Sequence, residues 1–127
     1  MPPTATPQVV EQAHREAMLT PIPRIVTFLQ DLLSRRLVAY VAGVKDAKTV
    51  SRWAKEEVGE VRKESEARLR GVYEIAQLLL QFDSAQVVRA WFIGLNPQLG
   101  DESPADAIHE GRLKEAKAAA RAFVTGG

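Results

Sequence analysis

Between residues 69 and 82, apolar side chains recur on almost every face a helix could offer: Leu69, Val72, Tyr73, Ile75, Ala76, Leu78, Leu79, Leu80 and Phe82. A helix apolar on several faces is stable only when other elements pack on several of its sides. The spacing predicts one long helix over residues 60–82, charged in its first half and central to the fold in its second. The rest of the chain must then supply its cover. No stretch alternates with period two for long enough to make a strand, so the expected fold class is all-α. A chain of 127 residues, 46% hydrophobic, can bury such a core in one domain or two very small ones.

The cover can be read in order. Residues 1–6 are rich in Pro and Thr and read as disordered. Residues 8–19 form at most a weakly periodic helix (Val9, Val10, Ala13, Ala17, Met18), so residues 1–20 are expected to be a flexible arm or a weak helix. Pro21-Ile22-Pro23 breaks the chain. A helix then starts at Pro23 and ends near Ser34, with Ile25, Val26, Phe28, Leu29, Leu32 and Leu33 at helical spacing. Residues 36–42 make a second helix on Leu37, Val38 and Val41. Gly43 supplies the left-handed position that ends it, and Val44 plugs the turn. Asp46 is the N-cap of a third helix, whose Val50, Trp53 and Ala54 point inward. Val58-Gly59 marks a boundary. Asp83, with Gln86 three residues on, reads as the capping box of a helix whose core stripe is Val88, Trp91 and Phe92. Asn96-Pro97 makes a turn. Ser103-Pro104 then provides N-cap and first position of a short helix that Gly111 stops. Residues 112–124 are Ala-rich and helix-favouring, with Leu113, Ala116, Ala120 and Phe123 aligned. The expected organisation is a helix-turn-helix region over residues 21–57, packed with a small helical domain over residues 60–127.

Catalytic chemistry is hard to find in these residues. Without cysteine there is no disulfide, thiolate metal site or Cys nucleophile, which fits a cytoplasmic setting. His14 and His109 stand alone, and His109-Glu110-Gly111 lacks the second histidine of a helical zinc site. There is no phosphate-cradling glycine loop and no nucleophile elbow. Glu56-Glu57 and Asp101-Glu102 are adjacent in sequence and point apart on a helix, a poor arrangement for acid–base work. The expectation is a non-enzyme with no cofactor and no metal. No run approaches the ~18 apolar residues of a membrane span, and the first residues do not have the pattern of a secretory signal.

The net charge of +1 hides an asymmetry. Residues 1–20 carry −1, residues 21–55 carry +5 (seven bases, two acids) and residues 56–127 carry −3 (nine bases, twelve acids). Helix, tight glycine turn, helix is the helix-turn-helix plan. A helix that reads duplex DNA must offer short polar groups to base edges and have cations close by for phosphates. The third helix meets that need with Lys45, Lys48 and Arg52 for phosphate or guanine, and Thr49 and Ser51 for the groove. The plainer alternative is a three-helix packing unit that never meets DNA. Trp53, on the inward stripe, is a core residue in either case. The segment from Leu37 to Val44, followed by Thr49-Val50-Ser51-Arg52-Trp53, resembles the helix-turn-helix of Xre-type repressors. Here the stretch from Gly43 to Val50 is one residue longer than the usual pattern.

The block Val88-x-x-Trp91, Leu95-Asn96-Pro97-x-Leu99-Gly100, Pro104-Ala105-Asp106 and Gly111, with a terminal helix after it, resembles the toxin-binding domain of the Xre/MbcA/ParS antitoxin family. With the helix-turn-helix, the resemblance spans about residues 24–124. It departs at Asp101, where many members have a second glycine. The resemblance implies the antitoxin of a type II module: a partner and inhibitor of a RES-domain toxin that depletes NAD, and a repressor of its own promoter DNA. It also implies that Trp91, Pro97, Leu99, Gly100, Pro104 and Gly111 shape the toxin-binding domain. Direct contacts with the toxin are expected from exposed cations on the last helix: Arg112, Lys114, Lys117 and Arg121. An acidic C-terminal region suits a partner whose pocket receives an anionic dinucleotide. A homodimer is expected, because helix-turn-helix proteins usually read paired half-sites. Two further readings stand beside this one: a free-standing repressor whose C-terminal domain oligomerises it, and a helical adaptor that binds protein and never DNA.

Overall fold

Five helices pack around the long apolar helix that the sequence places at the centre. The computed structural model describes residues 6–56 and 61–126. In chain order the helices are α1 (Pro7–Leu19), α2 (Ile22–Leu32), α3 (Arg35–Ala42), α4 (Ala47–Ala54), α5 (Lys63–Leu80), α6 (Ala85–Ile93), α7 (Pro104–His109) and α8 (Leu113–Val124). A single 3-10 turn, Pro97–Leu99, joins α6 to α7. There is no strand among the described residues, only one isolated bridge between Asn96 and Glu102.

The central helix α5 touches α1, α2, α3, α6 and α8. Leu69, Val72, Ile75, Ala76, Leu78 and Leu79 are buried, while Tyr73 and Leu80 are half-buried. Its described start, Lys63, is later than the expected residue 60, and the Val58-Gly59 boundary lies outside the described residues. Gly71 is set by a close approach: a Cβ there would come within 2.5 Å of the Leu113 side chain on α8. One hydrophobic cluster runs from Ala13 on α1 to Val124 on α8, so α2–α4 and α5–α8 share a core.

Of the two readings of the chain's beginning, arm or weak helix, the helix is the one that forms. Residues 7–19 form a full helix docked on α5 through the small residues Ala13 and Ala17, rather than a loose arm. Arg70 of α5 explains much of that. Its Nη1 donates to the carbonyls of Ala17 and Thr20, each at 2.8 Å, and its Nε donates to Glu66 at 3.0 Å. A cation placed on the unpaired carbonyls of a helix C-terminus satisfies them and complements the helix dipole. Met18, expected on the apolar side, is instead 57% exposed.

Side-chain caps set most of the helix starts. Ser34 accepts from the Leu37 amide (3.2 Å), Asp46 from Lys48 (2.8 Å) and Ser103 from Asp106 (3.0 Å). Two expectations need correction here. The cap of α6 is Ser84, which accepts from the Val87 amide at 3.2 Å, not Asp83. Asp83 belongs to the end of α5, its amide donating to the Leu79 carbonyl at 3.0 Å, so Gln86 falls one position short of a capping box. On α8 the buried line is Ala116, Ala119, Ala120 and Val124, while Phe123 is 45% exposed and lies at the rim beside Trp91. Smaller shifts fall at α2, which begins at Ile22 ahead of Pro23, and α3, which begins at Arg35 directly after its Ser34 cap.

Candidate nucleic-acid and partner surfaces

Helix α3 ends at Gly43, whose φ of 82° and ψ of 24° lie in the left-handed region. The Val44 amide donates to the Ala39 carbonyl at 3.0 Å, closing the turn in the Schellman manner. The Arg68 guanidinium lies over Gly43 but can swing aside, so the left-handed backbone is what asks for glycine there. Ser65 of α5 donates to the Ala42 carbonyl at 2.9 Å in a buried position, pinning the end of α3 to the central helix. After residues 44–46, Asp46 starts α4.

Helix α4 packs on α2 and α3 through Val50 and Trp53, which are buried, so Trp53 is a core residue as its stripe implies. At 3.6 residues per turn, Lys48, Arg52 and Lys55 then fall on one outward ridge about 10 Å long. All three are exposed, as is Lys45 just before the helix, and among the described residues none of the four makes an ion pair. Thr49 and Ser51, on the two flanks of the ridge, are half-buried. Ser51 is not a free groove-facing hydroxyl: its Oγ accepts from Arg35 Nη1 at 2.8 Å. Arg35, absent from the candidates read in the sequence, thereby joins this surface.

The C-terminal block is shaped by backbone hydrogen bonds that converge on Asn96. Its side chain accepts from the Gln98 amide (2.9 Å), its carbonyl accepts from the Leu99 and Asp101 amides (2.9 Å each), and its own amide donates to Glu102 (3.0 Å). Pro97 opens the 3-10 turn and Leu99 plugs it, 4% exposed. Gly100 and Asp101 are both left-handed, with φ of 64° and 67°. Nothing would obstruct a Cβ at Gly100, so conformation alone asks for glycine there. Asp is one of the few other residues that tolerate this region, so Asp101 can hold it. Pro104 is buried at the start of α7, and Gly111, at φ 88°, turns the chain into α8 with the Arg112 amide donating to the Ala107 carbonyl at 2.8 Å. Trp91 is 8% exposed, its ring edge-on to Phe92 with centroids 5.2 Å apart.

The four cations expected to contact a partner divide into two pairs. Lys114 and Arg121 are exposed and make no ion pair among the described residues. Arg112 and Lys117 are not freely exposed, contrary to their helical spacing. Arg112 holds Glu102, Glu110 (3.0 Å) and Glu115 (2.8 Å), tying the turn, the end of α7 and α8 together. Lys117 Nζ lies 3.3 Å from Glu74, which also accepts from His14 Nδ1 at 2.8 Å. The fold's own carboxylates hold both side chains.

A further cluster joins α3 to α7. The Tyr40 and His109 rings stack with centroids 4.0 Å apart and planes 5° from parallel. Tyr40 donates its hydroxyl to Asp106 at 2.6 Å, and His109 Nδ1 donates to the Tyr40 carbonyl at 2.8 Å. The bond to Asp106, with smaller contributions from burial and from the charges of Asp106 and Glu110, pushes the Tyr40 hydroxyl up to about 12. His109 is thus a packing residue between two helices. No local signal in the sequence marks this cluster, because its partners lie 66 and 69 residues apart.

No protein-family model, curated protein or solved structure matches the chain. No helix among the described residues is long and apolar enough to cross a membrane.

Proposed function

We propose that the chain is the antitoxin of a type II module, a non-enzymatic protein that binds its promoter DNA through α4 and a toxin enzyme through the C-terminal block. One observation carries the DNA-binding part. Helix α4 turns Val50 and Trp53 into the core and leaves Lys48, Arg52 and Lys55 on an outward ridge with no ion-pair partner among the described residues. Solvated cations left unneutralised at this spacing suit a polyanion, and phosphates supply most of the affinity of such contacts. The antitoxin part rests on the family resemblance of residues 88–112, and the rigid turn around Asn96 supports a role in recognition. The partner in this reading is a cytoplasmic RES-domain toxin that depletes NAD. The exposed Lys114 and Arg121 are the cations available to contact it, and the DNA-bound form is a homodimer on paired half-sites.

A second reading, a free-standing repressor that oligomerises through its C-terminal region, is favoured by the exposure of Ile93 (60%) and Leu95 (81%). Exposed apolar side chains that lie close together mark association surfaces more often than scattered ones do. Expression of the neighbouring open reading frame separates the two. The antitoxin reading expects that neighbour to arrest growth alone and to be neutralised by this chain. A neighbour harmless by itself leaves the repressor reading in place.

A further inference from the structure

We propose that the DNA-facing surface extends from α4 onto the first turn of α3, with Arg35 as a phosphate-binding residue and Ser51 as the residue that positions it. This rests on the reading of α4 as the DNA-binding helix. Arg35 is the first residue of α3 and is exposed, yet its Nη1 reaches across to Ser51 Oγ at 2.8 Å. With 3.6 residues per turn, Ser51 lies about 40° around α4 from Lys55, at the edge of the Lys48–Arg52–Lys55 ridge. The bond therefore brings a guanidinium from another helix alongside that ridge.

The acceptor's chemistry matters. A carboxylate would hold Arg35 and also cancel its charge, as Glu102, Glu110 and Glu115 do for Arg112. A hydroxyl holds the guanidinium through one of its five N–H donors and leaves the charge and the remaining donors for another anion. Among the described residues Arg35 makes no ion pair. Restricting a long side chain before binding lowers the entropy lost when the contact forms. Ser51, occupied in this way, is withdrawn from reading a base edge. Thr49 is then the uncharged polar side chain of α4 left beside the ridge, so phosphates dominate this module's affinity and its discrimination between sequences is small.

The test is a fluorescence-anisotropy titration of the full chain with a labelled duplex of about 20 base pairs and arbitrary sequence, from about 50 to about 250 mM salt. Each lost phosphate contact removes about 0.9 from the slope of log affinity against log salt. Arg35→Ala is expected to flatten the slope by about that amount and to weaken binding roughly three- to tenfold at the lowest salt. Ser51→Ala is expected to keep the slope but bind roughly two- to fourfold more weakly, with Ser51→Thr restoring affinity, since only the positioning is lost. Thermal melts of all three variants establish that they fold. If Arg35→Ala matches the unsubstituted chain in slope and affinity, the Arg35 contact is wrong and the α4 reading survives. If Ser51→Ala matches while Arg35→Ala is weak, the positioning role is wrong. If the unsubstituted chain binds no duplex at the lowest salt, the α4 reading fails and takes this inference with it.

Discussion

Helices α4 and α8 look alike as sequences: each carries a run of lysine and arginine on one side and small or apolar residues on the other. In the fold they differ. The cations of α4 face outward with no carboxylate paired to them among the described residues, whereas Arg112 at the start of α8 holds three glutamates and Lys117 shares the half-buried Glu74 with His14. The difference comes from what lies opposite. α4 packs on α2 and α3, and no carboxylate of either pairs with its cations among the described residues; α8 packs on α5, whose Glu74 pairs with Lys117, and on α7, which ends beside Glu110. A cation counted along a sequence becomes available for a partner only when the tertiary neighbours leave it unpaired. By that criterion α4 leaves its cations free of ion pairs among the described residues, as the proposed DNA contact needs, while α8 uses half of its set to hold the C-terminal block together.

Charge reversal on the two helices is the strongest way to break this comparison. Lys48→Glu with Arg52→Glu is expected to lower duplex-DNA affinity by roughly a hundredfold or more at about 100 mM salt, since two phosphate contacts become repulsions. Lys114→Glu with Arg121→Glu is expected to change it by no more than about threefold, a long-range effect that added salt screens. Equal losses from the two pairs, measured by anisotropy on one duplex, would show that binding follows net charge and not the α4 ridge. Stability should divide the other way. Arg112→Ala is expected to cost about 1–2 kcal/mol in urea denaturation, because three carboxylates lose a shared, partly buried partner, while Arg52→Ala should stay within about 0.5 kcal/mol. A silent Arg112→Ala would return Arg112 to the cations free to meet a partner.

Much of this was legible beforehand, and the limit is one of distance along the chain. Gly43, Asp46, Ser103-Pro104, Pro97 and Gly111 act on the backbone within a few residues, so their turns and caps can be read from local chemistry alone. The central helix was legible because an apolar surface on several faces admits one solution. Asp83 against Ser84 marks the local limit: both residues are good caps, and the choice depends on where α5 releases the chain. The pairings of Arg35 with Ser51, Arg70 with the end of α1, and Tyr40 with Asp106 depend on which helices are neighbours, and no spacing encodes that. The same gap hid the pairing of Lys117 with Glu74 and of Arg112 with Glu102, whereas Glu110 and Glu115 lie within three residues of Arg112 and their pairing could have been read from local spacing.

The link between the two regions gives a smaller test. Tyr40 on α3 and Asp106 on α7 join the α2–α4 region to the C-terminal block at 2.6 Å. Tyr40→Phe removes that bond while keeping the stacked ring on His109, so the expected loss is about 0.5–1 kcal/mol, the usual worth of one partly exposed hydrogen bond. The pH dependence has a definite sign. The Tyr40 hydroxyl titrates at about 12 in the folded protein, above its ordinary value of 10.0, so the folded state holds this proton more tightly than the unfolded chain. Its contribution is therefore complete below pH 10 and is lost as pH rises toward 12. Denaturation of the unsubstituted chain and of Tyr40→Phe should differ by a constant amount up to about pH 9.5 and converge above it. A difference that stays constant to the highest pH reached would mean that the bond to Asp106 does not hold the two regions together.

The smallest expected effect probes the shared carboxylate. Lys117→Met keeps the aliphatic stem but leaves Glu74 with His14 as its partner among the described residues. The expected cost is about 0.5 kcal/mol in urea denaturation, the usual worth of one partly exposed ion pair. Lys114→Met, one turn away and without an ion pair among the described residues, should show no such cost. Identical behaviour of the two variants would place Lys117 with the free cations and remove the distinction drawn between the two faces of α8.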